Sequence, residues 1–212
     1  MKLNSELRSQ ARAQLHGSWM SAIGVTLVFW LLYFVASAPF GIILFIIGGP
    51  LILGYTGYFL RKARGEKAII ENLFNGFKNF FRALVLFLLS GLFICFWSLL
   101  FIIPGIIKVF SYSMAYYILI DNPGMSGLDA ITASRKMMKG YKGKLFCLYL
   151  SFIGWALLCI PTFGIGYLWL FPYMQLSMAN FYEDIRGGAV SVPVPVKQNT
   201  GQVPGCMVAD DM

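Results

Sequence analysis

Long apolar stretches alternate with short charged ones along the 212-residue chain. Residues 13–60 and 145–182 contain no Asp, Glu, Lys or Arg, and residues 83–120 contain only Lys108. A membrane-spanning helix needs roughly 20 apolar residues, so each stretch can cross a bilayer twice if the chain turns back near its middle. The pattern therefore predicts three helical hairpins surrounded by lipid.

Proline and glycine mark a turn near the middle of each apolar stretch. Proline removes a helical donor and glycine accommodates a reversal, which places the hairpin tips at 37–41, at Pro104-Gly105 and at 161–166. The predicted fold is all-α, a polytopic membrane helix bundle over residues 1–186. The tail, 187–212, loses the apolar pattern and is predicted to be disordered. The six predicted transmembrane helices cover residues 19–36, 41–60, 83–103, 106–120, 145–160 and 167–182.

Basic residues fall almost entirely on one side of this topology. Every Lys and Arg except Lys108 lies before the first helix, in 61–82, in 121–144 or after the last helix, and the hairpin tips carry none. Since Lys and Arg are retained in cytoplasmic loops, both termini are predicted to be cytoplasmic. Residues 36–38, Ala-Ser-Ala, fit a signal-peptidase site. The apolar run before them exceeds the usual length of roughly 7 to 15 residues, however, so an uncleaved first helix is predicted.

The charged segments between the hairpins contain amphipathic helices. The clearest covers 66–82, and its apolar stripe comprises Ile69, Ile70, Leu73, Phe74, Phe77, Phe80 and Phe81. Weaker stripes comprise Leu3, Leu7, Ala11 and Leu15 near the N-terminus, and Leu128, Ile131 and Met138 in the third segment. The third segment follows a turn at 121–124 and a capping box from Ser126 to Asp129. Two interpretations remain open, in which these helices lie in the membrane interface or pack on the cytoplasmic ends of the bundle.

The order of elements also repeats. Residues 73–78, LFNGFK, match 137–142, MMKGYK, and a fainter copy, LHGSW, occupies 15–19. The unit is predicted to be a cytoplasmic helix, a glycine and a membrane hairpin, used three times. The corresponding glycines are Gly17, Gly76 and Gly140.

Composition and charge narrow the class of partner. The chain is 58% hydrophobic and 12% charged, whereas soluble domains carry roughly 25% charged residues. A net charge of +8 is compatible with binding to nucleic acid. Loops that face anionic lipid headgroups require the same cations, however, so the charge does not by itself indicate nucleic-acid binding. We predict that the partners are membrane lipids, with an unidentified membrane protein as a possible further partner. We expect no binding to nucleic acid.

The residues that carry catalysis are scarce. His16 is the single histidine, and Cys95, Cys147, Cys159 and Cys206 show no C-x-x-C spacing. No glycine-rich phosphate-binding motif occurs, and the adjacent acids Glu183 and Asp184 are interpreted as solvated. The sequence therefore predicts no catalytic, metal-binding or cofactor-binding residue, and a protein that is not an enzyme.

Three features leave alternatives open. Lys108 either extends to the outer surface or serves a function inside the membrane. The break at Gly48-Gly49-Pro50, followed by Gly54, suits either helix packing or the substrate site of a small-solute transporter. Gly91 and Cys95 form a small-residue pair, interpreted as helix packing rather than dimerisation.

Several motifs in order resemble a known family. They are GPLxLG at 49–54, LFxGFK at 73–78, WSLL at 97–100 with IPG at 103–105, SYSMA at 111–115, DNP at 121–123 and SFIGW at 151–155. Together they resemble the bacterial family of domain-of-unknown-function number nine hundred seventy-five, over about residues 3–184. The middle region is similar, more loosely, to the membrane domain of some glycerophosphodiester phosphodiesterases, whose catalytic domain is missing here.

The resemblance implies a small multi-pass protein of the bacterial inner membrane with no established reaction. The functional prediction is accordingly a non-catalytic membrane protein that acts through lipid or a partner protein. The alternative is a small-solute transporter or transporter subunit.

Overall fold

A computed structural model describes residues 2–37, 42–100, 102–159 and 166–189, and all regular structure in these ranges is helical. The all-α class is therefore confirmed. The helices are α1 (Asn4–Leu15), α2 (Trp19–Ser37), α3 (Ile42–Ala63), a 3-10 helix (Ile70–Asn79), α4 (Phe80–Leu100), α5 (Ile102–Tyr112), α6 (Ala115–Asp121), α7 (Gly127–Met137), α8 (Lys142–Leu158) and α9 (Tyr167–Ala189).

Two of the described stretches, 19–36 and 70–99, are long and apolar enough to cross a membrane. The helix predicted over 106–120 is divided, because α5 ends at Tyr112 and α6 begins at Ala115. The tip predicted at Pro104-Gly105 is wrong, since both residues lie at the start of α5. Proline is tolerated there, because the first N–H groups of a helix have no intrahelical acceptor.

Parts of the other predicted turns and of the tail lie outside the described residues. These parts are 38–41, 160–165 and 190–212. The boundary of the tail needs a correction, because α9 continues through Gly187 and Gly188 to Ala189.

Helices α1 and α7 pack by most of their predicted apolar stripes, but Leu3 and Leu128 are exposed. Leu7, Ala11 and Leu15 of α1 are fully buried, and α1 contacts α9. Ala130 and Ile131 of α7 are also buried, and α7 contacts α4 and α6. For these two helices the structure supports packing on the bundle rather than immersion in the interface.

The segment between α3 and α4 differs from its prediction. Instead of one α-helix over 66–82, residues 70–79 form a 3-10 helix and α4 begins at Phe80. A 3-10 helix has three residues per turn, so residues three apart share a face. The buried face consequently holds Leu73 and Gly76, whereas Phe74 and Phe81 are exposed.

Three units, each an amphipathic element followed by two or three further helices, contact one another in a ring. The units are α1 with α2 and α3, the 3-10 helix with α4, α5 and α6, and α7 with α8 and α9. The element order agrees with the predicted repeat. Each amphipathic element packs on another unit: α1 on α9, the 3-10 helix on α3, and α7 on α6. As a result of these contacts between units, α3 lies at the centre, in contact with α6 and α9.

Candidate functional site

Charged side chains from three helices meet at the ends of α3, α6 and α9. Arg64, which follows α3, donates to both carboxylate oxygens of Asp121, at 2.7 and 2.9 Å, and to Glu183 at 2.8 Å. Arg186 lies 3.2 Å from Asp121, and the Tyr182 hydroxyl donates to Asp121 at 2.7 Å. We call these five residues the ionic network. It joins one residue or more from each of the three units.

Asp121 is the centre of the ionic network, with only 9% of its side chain exposed. Burial by itself lowers the pKa of Arg64, but hydrogen bonds and negative charge from Asp121 and Glu183 outweigh burial and raise that pKa. Arg64 therefore stays cationic and neutralises the buried carboxylate of Asp121 and the partly exposed carboxylate of Glu183. Breaking such a pair by removing one partner is costly, so this arrangement holds the three helix ends together.

A second ion pair lies next to the ionic network. Lys144 of α8 contacts Asp184 at 3.2 Å, and the backbone N–H of Lys2 donates to the same carboxylate at 3.1 Å. Glu183 and Asp184, interpreted from sequence as solvated, thus both have charged partners. The sequence did contain one signal for the ionic network. Asp121 and Glu183 are each the first residue after an apolar stretch.

Glycines at the proposed break in α3 serve close helix packing. A Cβ atom on Gly54 would lie 1.7 Å from the Leu73 carbonyl oxygen, and one on Gly76 would lie 2.0 Å from the Pro50 carbonyl oxygen. One on Gly49 would lie 2.5 Å from the Ala83 carbonyl oxygen. We call the approach of Gly54 and Gly76 the glycine contact. Packing against the 3-10 helix and α4 accounts for these glycines without a transported substrate.

The 3-10 helix and the first residue of α4 form an aromatic row, in which Phe74 is exposed and Phe77 and Phe80 are partly buried. Phe74 and Phe77 have ring centroids 6.4 Å apart, and Phe77 and Phe80 have ring centroids 6.5 Å apart, both pairs stacked. The spacing of three residues follows from the 3-10 geometry. Phe74 is 52% exposed. These three side chains, the phenylalanine row, form an apolar surface beside the exposed Lys78.

The remaining sequence candidates lie apart from the ionic network. The Lys108 ammonium sits 4.4 Å from the centroid of the Trp97 ring. A Cβ atom on Gly91 would meet nothing within 4 Å, and Cys95 is exposed. The interpretation of Gly91 and Cys95 as a packing pair is therefore wrong for this chain, because that face of α4 points outward. His16 ends α1 as expected.

In the part of the chain that the structure describes, no group of three His, Cys, Asp or Glu residues has a geometry that could hold a metal ion. The sequence model of a family described as "Protein of unknown function (DUF975)" matches residues 1–112 and 100–189. No curated protein and no solved structure gives a match.

Proposed function

Because the chain belongs to the DUF975 family, whose description assigns no activity, we propose a function from its surfaces: a non-catalytic multi-pass membrane protein that acts through contacts with lipid or a partner protein. In this proposal the three units place six helices in the membrane of a bacterial cell. The basic segments and both termini lie on the cytoplasmic side.

The outward face of α4 is the observation that carries this proposal. Only 11% of the apolar stretch 70–99 is buried inside the molecule. Large apolar side chains between 43% and 87% exposed follow one another along α4, namely Val85, Leu88, Leu92, Phe96 and Leu99. Soluble monomers rarely expose a continuous apolar patch of this kind, whereas a lipid environment solvates it.

The distribution of charge supports the orientation. The ionic network lies at the ends of α3, α6 and α9, next to the basic segments 61–82 and 121–144. Ionised groups are costly at the centre of a bilayer, so a network of this kind belongs at an aqueous boundary. The cations around it support a cytoplasmic position for that boundary.

Cysteine labelling in intact cells tests the topology. Starting from a variant without the four native cysteines, single cysteines would replace Phe163 in a predicted tip, and Lys67 or Lys139 in the basic segments. A membrane-impermeant maleimide should label position 163 and should label positions 67 and 139 only after the cells are opened. Labelling of position 67 or 139 in intact cells would contradict the proposed orientation.

The phenylalanine row is the surface we assign to contact with the interface or a partner. Replacing both Phe74 and Phe77 by Asp adds two charges to a partly exposed apolar surface and should reduce membrane recovery or co-purification of a partner by tenfold or more. The matched control replaces both with Leu, which keeps the surface apolar. If the Asp and Leu variants show the same membrane recovery and the same co-purification, the phenylalanine row is not a contact surface.

A further inference from the structure

A cavity of about 470 Å³ lies beside the ionic network, between α1, the end of α3 and the last turns of α9. Small-molecule sites in proteins have volumes in this range. The polar part of its wall comes from the first and third units and consists of Lys2, Gln10, Tyr141, Asn180, Glu183 and Asp184.

Two oxygen atoms in this wall have no donor. The Asn180 side chain is almost completely buried, with 4% exposed, and its amide nitrogen donates to Gln14 at 3.0 Å. No described residue donates to its carbonyl oxygen, Oδ1. Glu183 accepts from Arg64 through Oε1, and among the described residues its Oε2 atom has no donor either. Because a buried oxygen without a donor raises the free energy of the folded protein, the cavity suits a ligand that donates hydrogen bonds.

The positions of these two oxygen atoms allow one ligand group to reach both. Asn180 and Glu183 are three residues apart on α9, so their side chains lie on the same face of the helix. The Tyr141 hydroxyl belongs to the same cavity wall. A single group with several donors therefore has two acceptors on α9 and a third on the residue before α8.

The charges next to Glu183 favour a donor that is also a cation. Arg64 is shared between Glu183 and Asp121. Arg186 lies nearer to Asp121, at 3.2 Å, than to Glu183, at 3.7 Å, and 48% of its side chain is exposed to solvent. Glu183 thus has no cation of its own, and a hydrogen bond between two charged groups is stronger than one between neutral groups.

Other classes of ligand fit this wall less well. A metal ion needs several protein ligands, and the described residues contain no suitable group of three. An anion needs free cationic donors, but the Lys2 ammonium is already bound by Gln10 at 2.8 Å, and two carboxylates line the same space. A primary ammonium has three donors and a positive charge, which matches the wall in both respects.

We propose that this cavity binds a primary ammonium group, which donates to Glu183 Oε2, Asn180 Oδ1 and the Tyr141 hydroxyl. Free small amines carry such a group, and so does the headgroup of phosphatidylethanolamine. The inference goes beyond the proposed function, because the site would exist in either orientation of the protein in the membrane.

Thermal unfolding of the purified full-length protein in detergent tests the site, because a ligand that binds only the folded state raises the unfolding temperature. Ethanolamine and phosphatidylethanolamine carry the primary ammonium, whereas choline and phosphatidylcholine carry a trimethylated one that cannot donate hydrogen bonds. We expect one or both primary ammonium compounds to bind about tenfold more tightly than the trimethylated counterpart. Binding of ethanolamine alone identifies a free amine, and binding of phosphatidylethanolamine alone identifies a lipid headgroup.

Two variants and a control locate the ligand in this cavity. Glu183→Gln removes the charge but keeps the shape, and should weaken binding about tenfold. Because Glu183 also pairs with Arg64, a second variant leaves every charge in place: Ala63→Leu enlarges an apolar side chain in the cavity wall and should abolish binding. Glu66→Gln is the matched control, since it neutralises an exposed carboxylate, and it should leave affinity within about twofold of the wild type.

Three results would overturn the proposal. They are no binding of either primary ammonium compound, equal binding of the trimethylated counterparts, and unchanged affinity in Ala63→Leu. Equal losses in Glu183→Gln and Glu66→Gln would show a general attraction of cations and would overturn it as well. All of these results leave the proposed membrane placement intact, because that placement fails only if the cysteine labels report another topology.

Discussion

Helix α1 and the 3-10 helix occupy the same place in their units but pack in different ways. In α1, Leu7, Ala11 and Leu15 face the bundle and are fully buried. In the 3-10 helix the backbone itself approaches α3 at Gly76, Phe74 is exposed and Phe77 is half-buried. An apolar stripe at helical spacing is therefore a reliable sign of a buried face only where side chains, and not backbone, make the contact.

The difference has a physical cause in the size of the facing residues. Gly54 and Gly76 lack a Cβ, so the two backbones come closer than any other residue would allow. Once the backbones are that close, the buried face is narrow, and the three-residue turn aligns Leu73 with Gly76. Bulky side chains such as Phe74 have no space on that face and are directed outward.

Blocking the glycine contact should have the largest effect. Gly76→Val would place side-chain atoms within the radius of the Pro50 carbonyl oxygen, where a Cβ already lies at 2.0 Å. We expect a loss of about 4 kcal/mol or more in stability, seen as loss of the monodisperse peak in detergent-solubilised size exclusion. Gly91→Ala is the control, because a Cβ at that position meets nothing within 4 Å. A well-folded Gly76→Val protein would show that the two backbones are not in contact.

Truncating a buried leucine should destabilise the protein less than Gly76→Val does. The loss should be similar in α1 and in the 3-10 helix. Leu7 in α1 and Leu73 in the 3-10 helix are both fully buried. Leu7→Ala and Leu73→Ala should each lower the free energy of unfolding by about 2 to 5 kcal/mol, through lost burial and the cavity left behind. Denaturant titration in mild detergent would measure both. A loss confined to Leu7→Ala would mean that Leu73 is not part of the core.

Truncating Phe74 should have the smallest effect on stability. Its side chain is 52% exposed, although the helical stripe in the sequence predicts that it faces the core. We expect Phe74→Ala to change the free energy of unfolding by less than about 1 kcal/mol in the same titration. A loss as large as that of Leu73→Ala would restore the α-helical interpretation of 66–82.

Local chemistry explains which features the sequence could predict. The all-α class and the turn at 121–124 follow from apolar periodicity and turn residues, and the cap follows from Ser126, which accepts from the Asp129 N–H. The tip at Pro104-Gly105 was misplaced because proline suits the start of a helix as well as a turn. The ionic network was missed because Arg64 and Asp121 are brought together only by the packing of α3 on α6.

The sequence by itself determined which segments are apolar, where most helices lie and that one unit is used three times, because these properties depend on neighbours within a few residues. Only the tertiary structure decided that each amphipathic element packs on a different unit, that Ile70–Asn79 forms a 3-10 helix, and which charges pair in the ionic network. The reason is that a glycine or an isolated charge has no periodic pattern of its own. Its role is fixed by whichever distant backbone or charge the fold brings beside it.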